Sequence, residues 1–237
     1  METAEYELMD QVEARMWWYR ALHRRLLDAL APVSGTVLDA GCGTGGFLAL
    51  LGAQRPDLRR LGLEWAAPAA RRAQAKAATP VACGSVNAMP FAPASVDAVV
   101  LADVLCHGAV DPAAALAEVR RVLRPGGRLV VNMPAYAWLM SAHDARVHNS
   151  RRLTAGATAA MLRAAGLVRV RARYWNSLLL PVMVAQRKLL TRGESASDVA
   201  PFPPWLDAML FAITRLERAL PVPMPAGGSV LAIAENP

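Results

Sequence analysis

The residues with the clearest chemical use are glycines. The run Val37-Leu38-Asp39-Ala40-Gly41-Cys42-Gly43-Thr44-Gly45-Gly46 leads from a short apolar strand pattern into a helix that begins at Phe47–Leu51. Glycines there let the backbone turn sharply and approach a ligand where a Cβ would stand in the way. A strand, a glycine turn and a helix in this order make a nucleotide cradle. Gly41, Gly43 and Gly46 also satisfy the dinucleotide spacing G-x-G-x-x-G, which alone is a weak signal. Asp39 argues against a dinucleotide, because a carboxylate just before the first glycine would repel a pyrophosphate, yet it can accept hydrogen bonds. A second group, His143, Asp144 and His148, follows the fifth strand pattern. Histidine titrates near about 6.5 and suits proton removal at neutrality, and an adjacent acid can orient the ring. The same residues, with Arg151 and Arg152, read equally as a loop pinned by hydrogen bonds and ion pairs.

These residues need a frame, and the pattern supplies one. Residues Glu2–Leu30 carry Leu8, Val12, Met16, Leu22, Leu26, Leu27 and Leu30 near helical spacing, and Pro32–Gly35 then breaks the chain. From Thr36, apolar strand patterns (T-V-L-D-A, L-G-L-E-W, a short one near Val81, V-D-A-V-V-L-A and R-L-V-V-N-M) alternate with amphipathic helices at about Gly45–Gln54, Pro68–Ala77 and Pro112–Leu123. Pro125-Gly126-Gly127 turns the chain into the fifth strand. A helix at Ala155–Ala165, a strand at Leu167–Tyr174, apolar helices at Ser177–Leu190 and Trp205–Leu220, and a last strand at Ser229–Ala234 complete the chain. Such alternation implies βαβ units around a largely parallel sheet covered on both faces. In such a sheet ligands bind beyond the carboxyl ends of the strands. An insertion between the last two strands is placed to form a lid there.

Composition narrows the class. The chain has 237 residues, 54% of them apolar, enough for one α/β domain and too apolar for global disorder. Its longest apolar runs, Leu178–Ala185 and Ala208–Ile213, fall short of the roughly 18–20 residues a membrane-spanning helix needs. Three cysteines without C-x-x-C spacing argue against a disulfide framework or a zinc site and fit a reducing cytoplasm, and the acidic opening segment does not read as an export signal. The formal charge is +7, but apart from Lys76 and Lys188 the basic residues are arginines scattered along the chain. That distribution argues against nucleic acid and leaves an anionic small molecule or a membrane surface open.

Taken together, the motifs resemble the class I S-adenosylmethionine (SAM)-dependent methyltransferases of the UbiE-like, type 11 group. V-L-D-A-G-C-G-T-G is similar to the first motif of that group, L-G-L-E-W to its second strand with a terminal acid, and C-G-S-V-N-A-M-P-F to G-D-A-x-x-L-P-F. V-D-A-V-V-L-A-D-V-L-C-H resembles its fourth strand, and E-V-R-R-V-L-R-P-G-G-R-L-V-V its next helix, turn and fifth strand. The resemblance implies a Rossmann-like three-layer α/β sandwich, its seven-stranded sheet mostly parallel with the last strand antiparallel. It implies SAM as cofactor and S-adenosylhomocysteine as product, held by Asp39, Gly41, Cys42, Gly43 and Gly45 of the loop and by Glu64 and Trp65 after the second strand. The two oxygens of Glu64 would take the two vicinal ribose hydroxyls. Ser85 stands where the group has an acid, so adenine contact passes to the backbone of Ser85 and Val86. Leu101, Asp103 and His107 would lie by the methionine part.

Outside the core, M-W-W-Y-R resembles the W-W-[FY]-R segment of a subset whose N-terminal helix folds over the cofactor pocket. That brings Tyr19 or Arg20 to the cofactor carboxylate; an aromatic cluster packing the helix onto the core is the alternative. S-A-H-D-A-R-V-H-N-S-R-R-L-T resembles the same subset's H-D-x-x-x-x-H-x-R-R-[YF]-T. His143, Asp144 and His148 are the candidate catalytic residues, Tyr136, Trp138 and Arg152 the candidate acceptor contacts, and no metal site is expected. His23 is expected at the surface. The organisation expected is a single domain: helical cap 1–34, core 35–175, helical insertion 176–227 and last strand 228–237. The late helices, with Arg187, Lys188, Arg192, Arg215 and Arg218, suit a lid over an apolar or lipid-linked acceptor, a dimer face or peripheral membrane contact. The expected activity is methyl transfer to a small or lipid-like acceptor, with oxygen favoured. An NAD(P)-dependent oxidoreductase and a non-catalytic nucleotide-binding module are the rivals.

Overall fold

The computed structural model describes residues 3–185 and 202–237. Two helices, α1 (Thr3–Val12) and α2 (Trp17–Ala29), precede β1 (Thr36–Ala40), α3 (Gly46–Gln54), β2 (Arg59–Glu64), α4 (Ala67–Ala77) and β3 (Val81–Cys83). There follow β4 (Val96–Ala102), α5 (Pro112–Val122), β5 (Leu123–Pro134), the short α6 (Ala142–Arg146), α7 (Ala155–Ala164) and β6 (Val168–Trp175). Then come α8 (Leu180–Ala185), α9 (Pro204–Ala219) and β7 (Ser229–Glu235). The sheet has seven strands in the order β3-β2-β1-β4-β5-β7-β6. The first five are parallel, and β7 runs antiparallel to both β5 and β6. This is the expected Rossmann-like sheet.

Period-two side-chain alternation builds its two faces. Val37, Ala98, Val100 and Val130 point to one side with α2, α3 and α9, whereas Leu38, Val99, Leu101 and Val131 point to the other with α5 and α7. All five residues of β1 are buried, as a strand covered on both faces requires.

Several expectations are corrected. The Pro125-Gly126-Gly127 turn lies inside β5: Leu123 pairs with Val96, the next pair is Ala98 with Arg128, and the intervening residues bulge out, with Gly126 at φ +74°. His143 and Asp144 stand on a short helix, because Ser141 and Asp144 close a reciprocal capping box. His23 is buried, its ring 5.5 Å from Phe47 and 6.1 Å from Tyr19, and burial lowers its pKa to about 4, so it stays neutral. Of the helix expected over Ser177–Leu190, α8 is the described part. Arg187, Lys188 and Arg192 lie outside the described residues.

Helix α9 is clamped to α2 by charge. Arg25 and Glu217 form a buried ion pair at 3.2 Å, and Glu217 also accepts the N–H groups of Asn176 (2.7 Å), Ser177 (2.6 Å) and Leu178 (3.1 Å). Asp207 takes the N–H of Trp17 at 2.6 Å, and Arg218 meets Asp28 at 2.6 Å. Removing one partner of a buried pair leaves the other charge unpaired, which costs about 3–5 kcal/mol. Glu217→Ala is therefore expected to destabilise the fold by that order in chemical denaturation. A change below about 1 kcal/mol, the scale of an exposed pair, would show that the clamp does not hold α9.

Candidate functional site

Strand order reverses between β1 and β4, and the crevice beyond their carboxyl ends is where an open α/β sheet binds ligands. The glycine loop forms its floor. Gly45 is left-handed (φ +88°), and a Cβ there would meet the backbone of Ala73 at 2.6 Å, so no other residue fits. Gly43 (φ +55°) faces the crevice, where a Cβ would stand 2.6 Å from Cε of Met9. The N–H groups of Gly41 and Cys42 bond to the carbonyl of Leu63, which binds the loop to the end of β2 and brings Glu64 beside it. Glu64 is buried. Its Oε2 accepts the N–H of Gly43 at 2.9 Å, and its Oε1 accepts the N–H of Ala66 at 3.0 Å and the phenol of Tyr6 at 2.8 Å.

Two further carboxylates share this crevice. Glu13 accepts the hydroxyl of Thr44 at 2.8 Å and the N–H of Gly46 at 3.2 Å, at the start of α3, and pairs with Lys76. Asp39 is buried at the end of β1; burial, then the charges of Glu64 and Glu13, push its carboxyl up to about 7. Clustered acids of this kind repel a pyrophosphate and attract a cation.

The structure brings most of the sequence-nominated cofactor residues to this edge. Asp103 follows β4 directly with φ +55°. Its Oδ1 accepts the amide of Asn132 at 2.8 Å, and Asn132 in turn accepts the indole N–H of Trp175 at 2.8 Å, so a chain of bonds crosses three strand ends. Burial lifts Asp103 to about 6, against the pull of Asn132 and Arg152. Tyr19 faces the same acids: burial and the charges of Glu13, Asp103 and Glu5 push its phenol far above the usual range, so it remains a donor. Arg20 turns the other way, its guanidinium 3.7 Å from the Phe211 ring and 3.4 Å from Asp207, on α9. Trp65 stands exposed beside Glu64, and the Cys42 and Val86 side chains are buried. Ser85 accepts the N–H of Asn87 at 3.1 Å, and Leu101 packs into the core. His107 is bridged to Asn149, which ties the loop after β4 to the segment after α6.

On the acceptor side Tyr136 stacks on Tyr174 (5.5 Å, 14° between planes) and lies 5.6 Å from the exposed ring of Trp138. Burial and the bond with Tyr174 push the Tyr136 phenol up to about 12. Asp144 is fully buried and holds Arg152 by two bonds, at 3.0 and 2.9 Å, besides Ser141 and Asn149. Burial alone would raise its pKa, but the Arg152 charge and these bonds hold it below the usual carboxylate range. Asp144 and Arg152 thus fasten α6 to the segment that leads into α7, and Arg152 also donates to the carbonyl of Ala135 just after β5. His143 sits on α6, and His148 just after it has φ +57°.

Comparison with known proteins agrees with this geometry. Residues 38–131 match the methyltransferase domain family. The chain is 37% identical over 121 residues to the malonyl-[acyl-carrier protein] O-methyltransferase of Herminiimonas arsenicoxydans, covering 51% of this chain and 45% of that protein. It is 34% identical over 143 residues to the trans-aconitate 2-methyltransferase of Azoarcus sp. (strain BH72), covering 59% and 54%. The chain thus spans about half the length of these curated relatives. Among solved structures, the geranyl diphosphate C-methyltransferase of Streptomyces coelicolor A3(2) has a similar fold, with a TM-score of 0.65 at 18% identity over 92% of this chain and 79% of that one. The match over residues 38–131 is to methyltransferases, and it supports SAM as the cofactor.

The residues present fit that cofactor. Glu64 already accepts a hydroxyl, that of Tyr6, at 2.8 Å, which is the contact a ribose requires. The acid cluster suits a sulfonium, and when bound there SAM supplies an electrophilic methyl group on a positively charged sulfur. Sequence reasoning missed Tyr6, Met9 and Glu13. Their signal was present, since positions i, i+3 and i+7 share one helix face. It missed the Asn132–Trp175 support as well, for which no local pattern exists.

A carboxyl poised near 7 links binding to pH. The ionised form of Asp39 favours a cation, so binding SAM draws its pKa down and releases a proton. Affinity for SAM is then expected to rise about tenfold from pH 6 to pH 8, while that for S-adenosylhomocysteine, whose sulfur is neutral, changes little. Calorimetry with both ligands at the two pH values reads this directly. Parallel pH dependence of the two ligands would exclude a charge role for Asp39.

Proposed function

We propose that this chain transfers a methyl group from SAM to a small-molecule or lipid-like acceptor, with an oxygen as the favoured nucleophile. The observation that carries the proposal is the pairing of a carboxylate-lined crevice with an open aromatic shelf. Asp39, Glu64 and Glu13 suit the cationic cofactor, and Tyr136, Trp138 and Tyr174 suit a flat or apolar acceptor beside it. The O-methyltransferase among the relatives supports oxygen as the acceptor atom. The exposed outer face of α9, with Trp205, Met209 and Leu216, suits a lipid-like acceptor or contact with a membrane surface. Among the described residues no helix is long and apolar enough to cross a membrane.

Methyl transfer to oxygen is an in-line displacement, so holding the acceptor against the methyl carbon can supply on the order of 7–11 kcal/mol. A hydroxyl acceptor must also lose its proton. His143 and His148 are candidates, but Asp103 is better placed, since it stands at the β4 edge with one oxygen fixed by Asn132 and a pKa near neutrality. Asp144, committed to Arg152, serves to position α6.

The test is transfer of labelled methyl from SAM to a panel of phenols, alcohols, carboxylic acids and amines, with products weighed by mass spectrometry. Oxygen-methylated products are expected, and on hydroxyl acceptors Asp103→Asn is expected to lower kcat about 100-fold with affinity for S-adenosylhomocysteine nearly unchanged. Transfer to amines alone would refute the oxygen reading. Binding of S-adenosylhomocysteine without turnover of any acceptor would favour a non-catalytic module.

A further inference from the structure

We propose that α1 is an internal competitor for the cofactor crevice, which must be displaced before the cofactor can seat. The inference rests on the reading of that crevice as the SAM site, and it goes beyond a helix that merely covers the pocket. Three contacts of α1 and the residue just after it fall on groups the cofactor would use. The phenol of Tyr6 donates to Oε1 of Glu64 at 2.8 Å. With the N–H groups of Gly43 and Ala66 also bound there, the buried carboxylate has three donors in place and cannot take two vicinal ribose hydroxyls as well. The side-chain end of Met9, a thioether with its methyl, fills the space that the missing Cβ of Gly43 leaves open. Glu13 occupies the first turn of α3, taking the Thr44 hydroxyl and the Gly46 N–H. The chain thus sets a hydroxyl, a thioether and a carboxylate against the crevice, three group types that the product cofactor also carries.

The attachment is built to come off. Burial and the Glu64 charge push the Tyr6 phenol far above the usual range, so it stays protonated and donates. Ion pairs at the rim add to these contacts: Lys76 with Asp10 and Glu13, Arg72 with Glu7 at 3.5 Å, and Arg146 with Glu5 at 3.6 Å. Most of these side chains are partly exposed, and pairs of this kind are weak and screened by salt. A helix of 10 residues has little stability of its own once undocked. Three hydrogen bonds, the apolar contacts of Leu8 and Val12 and a set of weak pairs therefore stand against a ligand that offers two hydroxyls to the Glu64 carboxylate.

Calorimetry and hydrogen exchange on the full chain with S-adenosylhomocysteine test this. That ligand carries no net charge near neutrality, so salt acts mainly through the lid. Affinity is expected to rise at least threefold from 50 to 500 mM sodium chloride, and Tyr6→Phe to bind about 3–10-fold more tightly than the native chain at low salt. Saturation with ligand is expected to speed amide exchange across residues 3–13 while protecting the glycine loop. Slower exchange of residues 3–13 on binding, or weaker binding by Tyr6→Phe, would overturn the competition and leave the cofactor site intact. Absence of binding by both proteins at either salt concentration would instead overturn the cofactor site itself.

Discussion

Asp39, Glu64 and Glu13 share one crevice at the carboxyl edge of the sheet, and their mutual repulsion is the constraint around which the rest is arranged. Buried like charges cost free energy unless donors or a cation meet them. The chain answers locally: loop N–H groups and the Tyr6 phenol meet Glu64, while Thr44, Gly46 and Lys76 meet Glu13. Asp39 is answered least and retains a pKa near 7. A cationic sulfur entering the crevice relieves the strain that remains. A pyrophosphate would add to it, so the same glycine spacing that suits dinucleotides serves a different ligand here.

The fold delivers these groups through short, rigid routes. β1 and β2 end side by side, so the loop after β1 and the acid at the end of β2 meet without a long connection. β4 and β5 do the same for Asp103 and Asn132, and β6 supplies Trp175 behind them. The clamp between α2 and α9 holds Tyr19 and Trp175 against the same edge. The candidate site groups lie at one end of the sheet, and the two apolar layers beneath it fix the spacing.

The parallel core was legible in the sequence because its signals are local. A strand buried on both faces must be apolar, a glycine turn must follow it, and the sequence showed both for β1 and its loop. Glu64 was found for the same reason, standing at a strand end a fixed distance from the glycines. What stayed hidden depends on partners far along the chain. Arg20 looked like a cofactor contact beside Tyr19, but adjacent residues on a helix face different directions, and Asp207 and Phe211 on α9 draw it away. His23 looked superficial because its environment, the rings of Tyr19 and Phe47, arises only on folding. Asp144 read as an acid for a histidine, yet the arginine eight residues later claims it. The contacts of α1 stayed hidden because Tyr6 and Glu13 meet partners 58 and 31 residues away.

A crystal structure with S-adenosylhomocysteine bound tests the central claim most directly. The account predicts both ribose hydroxyls within about 2.5–2.9 Å of the Glu64 carboxylate, with the sulfur on the Asp39 and Asp103 side of the glycine loop. A nucleoside bound away from Glu64, with the three acids facing solvent or one another, would contradict it.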